Sequence, residues 1–209
     1  MIRDPYQRTA KSYDTLVEPF NTVIRKIGFK LFPPKQGMRV LDVGCGTGTN
    51  LDIYHMAGCK AFGLDLSPAM LEEARRKLGK RAELRLGDAS QMPYPDGFFD
   101  LVISMLTLHE MPISIRPPVM SEMIRVLKQD GRILLIDFHP GPIRFPKGWF
   151  YKAVILSFEI AAGREHFRNY RDFLANKGLP RLISSHGLSV EKKKIVSGGN
   201  IGLFLVKLI

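Results

Sequence analysis

The residues best suited to chemistry lie in one glycine-rich turn. Asp42 comes two residues before Gly44, and Gly46 and Gly48 follow at alternate positions. Glycines between a strand and a helix let a ligand approach the backbone closely, where helix N-terminal amides can bind it. The spacing G-x-G-x-G differs from the G-x-G-x-x-G of dinucleotide enzymes, and a carboxylate at this place suits an ammonium group better than a pyrophosphate. Alone, such a turn is equally compatible with an ordinary connection.

Two further aspartates follow the next two predicted strands. Asp65 ends the second strand, where a carboxylate can accept hydrogen bonds from both hydroxyls of a ribose. Asp88 ends the third strand and could accept from the exocyclic amine of adenine, while Ala89 offers a backbone amide to the ring. Each aspartate taken singly is as well explained as a helix cap or turn residue. Three acidic strand ends in chain order favour a nucleoside site.

The elements that position these groups alternate between strand and helix. Helix-start signals at Ser67-Pro68 and an apolar stripe after them predict a helix, and a second helix is predicted over residues 118–127, closed by a turn at Gln129-Asp130-Gly131. Alternating strands and helices predict a parallel sheet in an α/β fold. The predicted strands are residues 38–43, 60–64, 83–86, 99–104 and 132–138, followed by a hairpin of 189–196 and 201–208 around a glycine turn.

The segments before and after this core are predicted to form the acceptor side of the site, within a single domain. We divide the chain into an N-terminal helical lid (1–36), a cofactor-binding core (37–138), a substrate-side helical region (139–186) and a C-terminal β-hairpin (187–209). Basic and aromatic residues interleave over 144–152 before an apolar stretch. This pattern suits an interfacial segment or the wall of a lipophilic pocket, although a buried core helix has the same composition.

Composition narrows the partners and the compartment. The 209 residues are 45% hydrophobic, carry a formal charge of +11 and contain no apolar run of about 18 residues. The basic residues are scattered, so nucleic acid is a less favoured partner than a small molecule, and anionic lipid stays open. Cys45 and Cys59 form no C-x-x-C pair, which predicts neither a metal site nor a disulfide framework. We expect a cytoplasmic protein, with peripheral membrane contact as an open alternative.

The chain resembles the class I S-adenosylmethionine-dependent methyltransferases over about 100 residues. The segments that carry the resemblance are 40–48 (VLDVGCGTG), 63–67 (GLDLS), 87–89 (GDA) with 92–94 (MPY), 98–102 (FFDLV), and Leu127-Lys128 with Gly131-Arg132. The resemblance implies a Rossmann-like sheet of seven strands whose last strand is antiparallel. It also implies S-adenosylmethionine as cofactor, S-adenosylhomocysteine as product and methyl transfer as the activity.

The same resemblance implies roles for individual residues. Asp42 and the glycines would hold the methionine part, Asp65 the ribose, and Leu66 and Met70 the adenine. Residues 6–14 (YQRTAKSYD) and 197–203 (SGGNIGL) narrow the likeness to the ubiquinone- and menaquinone-biosynthesis type and its lipid-modifying relatives, in which Tyr13 would be a lid contact or a packed core residue. Cys45 is interpreted as a small packing residue of the loop. The full cofactor-binding set is Tyr13, Asp42, Gly44, Cys45, Gly46, Gly48, Asp65, Leu66, Met70, Asp88, Ala89 and Ser104.

The acceptor is less defined than the cofactor. His109, after the fourth strand, titrates near neutral pH and is the candidate catalytic residue, with Glu110 and His139 as weaker candidates. The Asn/Asp-Pro-Pro-aromatic signature of base-methylating enzymes is absent at this place. We therefore expect a small-molecule acceptor, which is either lipophilic, such as a quinone precursor or phospholipid, or an ordinary soluble metabolite. The alternatives are an RNA or protein methyltransferase and a non-catalytic cofactor-binding protein; a dehydrogenase and an arsenite methyltransferase are disfavoured by glycine spacing and cysteine number.

Overall fold

A single mixed sheet organises the protein. The structure is a computed structural model that describes residue 4, residues 6–7 and residues 9–209; the predicted lid, 1–36, therefore lies in part outside the described residues. The strands are β1 (Arg39–Val43), β2 (Lys60–Asp65), β3 (Ala82–Leu86), β4 (Phe99–Met105), β5 (Leu127–Phe138), β6 (Leu188–Val196) and β7 (Ile201–Leu208). Their order is β3-β2-β1-β4-β5-β7-β6, and β7 runs antiparallel to both of its neighbours. The predicted α/β class and the antiparallel last strand are confirmed.

Among the residues that the structure describes, seven α-helices flank this sheet. They are α1 (Ala10–Leu31), α2 (Thr49–Met56), α3 (Pro68–Leu78), α4 (Arg116–Val126), α5 (Lys147–Ala161), α6 (Arg164–Ala175) and α7 (Gly178–Ser185). The predicted start of α3 is confirmed, because the Ser67 hydroxyl accepts from the Met70 amide at 3.1 Å and Pro68 occupies the first helical position. No helix in the described part of the chain is long and apolar enough to cross a membrane.

Burial of the central strands explains why they read as continuous apolar runs. Val40 and Leu41 of β1 and Leu101 of β4 are fully buried, as expected for parallel strands covered by helices on both faces. Because β1, β2 and β4 are parallel neighbours, their carboxyl ends open on the same edge of the sheet. The predicted glycine turn, Asp65 and the loop after β4 therefore converge.

The fifth strand differs from its prediction. It begins at Leu127 instead of residue 132, so the predicted closing turn at Gln129-Asp130-Gly131 lies inside the strand. The register with β4 explains this, since Phe99 pairs with Leu127 and Leu101 with Arg132, and the residues between them bulge out of the ladder. The glycine and polar residues of a bulge resemble those of a turn, which is why the sequence suggested one.

Candidate active site

The glycine turn leaves β1 in a conformation that only glycine adopts easily. Gly44, Gly46 and Gly48 have φ angles of 72°, 53° and 80°, all in the left-handed region. A Cβ on Gly44 would come within 2.3 Å of Thr107 Cγ2, whereas one on Gly46 would meet no atom within 4 Å. The turn therefore packs at Gly44 and leaves open space at Gly46, as a loop that admits a ligand requires.

Asp65 fixes this turn against the neighbouring strand. Its two carboxylate oxygens accept hydrogen bonds from the backbone amides of Gly46 and Ser67, each at 2.8 Å. Burial raises the pKa of this carboxyl, and those amides oppose the rise. A carboxylate with both oxygens held in place keeps free lone pairs for two further donors, which is the arrangement that a ribose diol needs.

Asp42 is a buried carboxyl without full compensation. Its Oδ1 atom has no hydrogen-bond partner among the described residues, and its side chain is almost completely buried. Burial raises its pKa from 3.8 to about 7, against the lowering effect of the Arg25 guanidinium. A stranded carboxylate oxygen at the wall of a cavity suits a cationic ligand group, because a charged donor would restore the lost hydrogen bond.

These groups face one cavity of about 560 Å³, which is large enough for a nucleoside-sized ligand together with part of an acceptor. Ten residues of the predicted cofactor set line it: Tyr13, Asp42, Gly44, Cys45, Gly46, Asp65, Leu66, Met70, Asp88 and Ala89. Leu66 is a large apolar side chain left 64% exposed, so an aromatic ring laid against it would bury apolar surface. The structure thus brings the three acidic strand ends to one space.

Residues of α1 form another part of the cavity wall. Tyr13, Asn21 and Arg25 of α1 line the cavity, and Arg25 is held by an ion pair with Glu18 at 2.6 Å. Asp4 also lines it and accepts from the Ser67 hydroxyl at 2.9 Å. The sequence interpretation missed Arg25 and Asn21, because a helix with no motif gives no sign of which face turns toward the sheet.

Three predicted residues do not line the cavity. Gly48 packs instead against α3, where a Cβ would meet Leu78 at 2.6 Å, so it serves the helix contact. Ser104 is buried inside the sheet at the end of β4. His109, the predicted catalytic residue, is also buried and lies outside the lining, with its Nδ1 atom 2.7 Å from Asp137. Burial lowers the pKa of His109, but nearby carboxylates, Asp137 first, outweigh it and raise it to about 9.

Glu110, one of the weaker candidates, lines the cavity, whereas the adjacent His109 does not. Its Oε2 atom accepts a hydrogen bond from the Tyr6 hydroxyl at 2.6 Å, and both residues line the cavity. Tyr6 in turn packs against Tyr13 edge to face, with ring centroids 6.1 Å apart. His139, the other weak candidate, stacks on Phe204 away from this wall. Tyr6 and Glu110 are therefore a hydrogen-bonded titratable pair in the cavity wall.

Cys45 is placed as a packing residue within the turn. It lines the cavity but is buried, and its sulfur packs close to Gly63 of β2, where a Cβ would come within 2.8 Å of it. Burial raises the pKa of its thiol, so the reactive thiolate is disfavoured. The interpretation of Cys45 as a small packing group fits this environment.

Comparison with known proteins identifies this arrangement. Residues 41–135 match the family model described as "Methyltransferase domain". The chain is 32% identical to a demethylmenaquinone methyltransferase of Tropheryma whipplei, covering 97% of this chain and 89% of that protein. It is 31% identical to a phosphatidylethanolamine N-methyltransferase of Cereibacter sphaeroides, covering 81% and 79%.

A solved structure shares the fold. The crystal structure of an S-adenosylmethionine-dependent methyltransferase from Aquifex aeolicus superposes with a TM-score of 0.65 at 22% identity, covering 95% of this chain and 98% of that one. This likeness concerns the fold. The sequence matches place the chain in a methyltransferase family, and S-adenosylmethionine is the cofactor of that family.

Proposed function

We propose a lipophilic, membrane-derived methyl acceptor for this chain, which belongs to the class I S-adenosylmethionine-dependent methyltransferases and resembles their ubiquinone- and menaquinone-biosynthesis group. The chain is a methyltransferase. The observation that carries the proposal is an exposed apolar surface on α1 and α5, beside a cavity whose inner wall is built for the cofactor.

The cavity residues fit S-adenosylmethionine part by part. The unpartnered oxygen of Asp42 would accept from the methionyl ammonium, and Arg25 is placed to pair with the methionyl carboxylate. Asp65 would hold the ribose hydroxyls, and Asp88 with Ala89 the polar edge of adenine. When bound, the cofactor supplies a methyl group already activated by its sulfonium, so the protein has mainly to align donor and acceptor and to exclude water.

The far side of the cavity suits an apolar acceptor with one polar edge. Leu106, Met111, Ile115 and Val119 are apolar residues of the cavity lining, and the Tyr6–Glu110 pair supplies a polar group. An aromatic hydroquinone has this shape, with an apolar ring and a hydroxyl. Loss of the hydroxyl proton activates the ring carbon, which takes the methyl group as its bond to the cofactor sulfur breaks; the ring carbon then releases its own proton, and the hydroxyl is protonated again. Tyr6 and Glu110 would orient that hydroxyl and receive its proton.

The proposed membrane-facing surface, called the apolar patch below, is defined by nine exposed large hydrophobic side chains. Of the fifteen such residues among the described positions, nine lie on α1 or in and just before α5, which is a concentration that scattered exposure does not produce. The two helices meet where Phe20 packs against Phe158, with ring centroids 5.6 Å apart. The patch consists of Leu16, Phe20, Val23, Phe145, Trp149, Phe150, Tyr151, Phe158 and Ile160.

Charge around the patch favours an anionic bilayer. Lys26, Lys30, Arg144 and Lys147 are exposed on the same two segments, and the chain carries a net charge of +11. Exposed cations beside aromatic side chains are typical of interfacial binding, since the cations attract anionic headgroups while the rings enter the acyl boundary. Tyr13 and Arg25 line the cavity from α1, so the helix that carries part of the patch also forms a wall of the site.

Vesicle flotation tests the surface. We expect the protein to float with phosphatidylglycerol vesicles at low salt, and the double variant Trp149→Ser with Phe150→Ser to stay in the dense fraction. Met56→Ser is the matched control, because Met56 is 75% exposed but lies on α2, away from the patch. Equal flotation of the double variant and the control, or no flotation of the wild type, would contradict membrane docking.

A reaction with defined acceptors tests the activity. Vesicles that contain a prenylated demethylnaphthoquinol should accept methyl label from S-adenosylmethionine, and Tyr6→Phe should lower the turnover number while leaving the cofactor dissociation constant unchanged. Methyl transfer to phosphatidylethanolamine instead would identify an amine, and not a hydroquinone, as the methyl acceptor. Failure with both acceptors, by a protein that binds the cofactor, would overturn the lipophilic acceptor.

A further inference from the structure

A second group of titratable side chains lies next to the cofactor cavity but outside it. His109 follows β4, Glu159 belongs to α5 and His166 belongs to α6, and one potential ligand atom of each lies within 4.8 Å of the other two. The group thus joins three elements that are separate in sequence. The proposed methyl transfer makes no use of it.

The three side chains point their free atoms at one another. Nε2 of His109 lies 3.6 Å from Oε1 of Glu159, and Nε2 of His166 lies 3.0 Å from Oε2 of the same carboxylate. Ligands at about 2.0–2.1 Å from a tetrahedral zinc ion are separated by roughly 3.4 Å from one another. The two separations lie on either side of that value but end on different oxygens of Glu159, so the side chains would have to adjust for all three residues to hold one small cation.

An outer carboxylate orients the first histidine. Asp137, at the end of β5, lies 2.7 Å from Nδ1 of His109, and its side chain is 1% exposed. This bond keeps one ring proton on Nδ1, so a metal ion would displace the other proton from Nε2 and take up its lone pair. Carboxylate–histidine pairs of this kind support metal sites because they fix the tautomer and raise the basicity of the ligating nitrogen.

The carboxylate at the centre is buried and incompletely satisfied. Glu159 is 6% exposed, and its Oε2 atom has no hydrogen bond of acceptable geometry among the described residues, although the His166 nitrogen is close. Lys152 on the same helix directs its ammonium to the Tyr170 hydroxyl. A metal ion would give this oxygen the partner that it lacks and would replace the positive charge that the His109 ring holds beside the carboxylate.

The surrounding bonds hold the group in place. The Arg116 guanidinium donates to the Asn169 carbonyl at 2.7 Å and to the Leu108 carbonyl at 3.0 Å, and the Asn169 amide donates to the Glu110 carbonyl at 2.7 Å. These bonds tie the loop that carries His109 to α6, one turn from His166. The ligand atoms are therefore preorganised by residues that do not themselves ligate.

We propose that His109, Glu159 and His166 bind a divalent transition-metal ion, with Zn²⁺ as the best match to two imidazoles and one carboxylate. Three protein ligands of this type leave a further coordination position for water or a small anion. The ion would fasten α5 and α6 to the carboxyl edge of the sheet. The cysteine count gave no sign of this site because none of its ligands is a cysteine.

Cobalt substitution provides the direct test. Protein stripped with a chelator and checked for folding by circular dichroism would be titrated with Co²⁺, whose visible d–d bands report tetrahedral nitrogen and oxygen ligation. The expected result is intense bands that saturate at one equivalent and disappear when Zn²⁺ is added. Zn²⁺ should also raise the melting temperature of the stripped protein. A spectrum equal to that of aqueous Co²⁺ would overturn the proposal.

Two variants and a control locate the ion. Glu159→Gln and His166→Asn should each weaken Co²⁺ binding by at least about tenfold, which is the smallest effect usual for supporting residues of a metal site. His166 is 19% exposed in its side chain, so its replacement tests the site even where a change at buried Glu159 harms folding. His55→Gln, on α2, is the matched control and should bind like the wild type. Unaltered bands in His166→Asn would contradict the assignment.

Discussion

The state of Asp42 predicts how cofactor binding depends on pH. Burial raises the pKa of its carboxyl from 3.8 to about 7, against the opposing charge of Arg25, and Oδ1 has no partner. A cofactor ammonium can pair only with the ionised carboxylate, so binding below pH 7 must release a proton. We therefore expect affinity to rise with pH up to about 7 and then to level off.

The size of the effect follows from the ionised fraction. At pH 6 about one tenth of the carboxyls are ionised, against about nine tenths at pH 8, so the affinity at pH 6 should be about tenfold weaker, roughly 1 kcal/mol. The apoprotein should behave in the opposite sense. The pKa of Asp42 is higher in the folded than in the unfolded protein. Its contribution to the free energy of unfolding is therefore fully present below about pH 4, and it is lost, by about 4 kcal/mol, as pH rises toward 7.

The assay is calorimetric titration with S-adenosylhomocysteine at pH 6 and pH 8. Asp42→Asn keeps the shape of the side chain but not its charge, so its affinity should be lower at pH 8 and its pH dependence should be lost. Asp96→Asn is the control, since the Asp96 side chain is 81% exposed and outside the cavity. Titration of the ligand's own amine is common to all three proteins. An identical pH dependence in wild type and Asp42→Asn would show that ionisation of Asp42 does not control cofactor binding.

Two further substitutions test the turn and the α1 wall. Gly44→Ala should abolish S-adenosylhomocysteine binding and lower the melting temperature, because its Cβ would clash with Thr107. Gly97→Ala is the control, since Gly97 has a φ of 60° and open space around it. It should lose only the backbone cost of about 1–2 kcal/mol and bind the ligand normally. Arg25→Gln should weaken S-adenosylhomocysteine binding by about 1.5–3 kcal/mol, the usual contribution of a charged hydrogen bond. Lys26→Gln is the control and should bind like the wild type, because Lys26 is exposed. Equal calorimetric affinities of Arg25→Gln and Lys26→Gln would show that Arg25 does not bind the ligand.

Local signals explain how much of the fold was predictable. Ser67-Pro68 begins a helix by chemistry contained in those two residues, and the prediction held because nothing distant competes with a cap. The beginning of β5 was predicted wrongly, because its bulge depends on the register with β4 and not on its own residues. Elements set by periodicity are visible in sequence, and irregularities set by neighbouring strands are not.

The cofactor side of the site was predictable for the same reason. Asp42, Asp65 and Asp88 each end a strand, and the topology of parallel strands brings such ends together. The acceptor side depends on rotations that the sequence does not encode locally. His109 and Glu110 are adjacent in the chain, yet the backbone turns Glu110 to the cavity and His109 to Asp137.

Charge patterns were less informative than geometry. The predicted interfacial character of residues 144–152 gains support from the exposure of Phe145, Trp149 and Phe150, since a buried core helix would have hidden them. Lipid binding itself stays a prediction. The histidine and carboxylate group was invisible in sequence, because Glu159 and His166 lie about 50 residues from His109 and are united only by the packing of α5 and α6.

Native membranes allow a test of methyl transfer from S-adenosylmethionine to a lipophilic acceptor. The protein would be incubated with these membranes and methyl-labelled cofactor, and the mixture would then be extracted with organic solvent. We expect label in the organic phase with the wild-type protein and background counts with Gly44→Ala. Label confined to RNA, protein or water-soluble metabolites, with none in the organic phase, would show that the acceptor is not lipophilic.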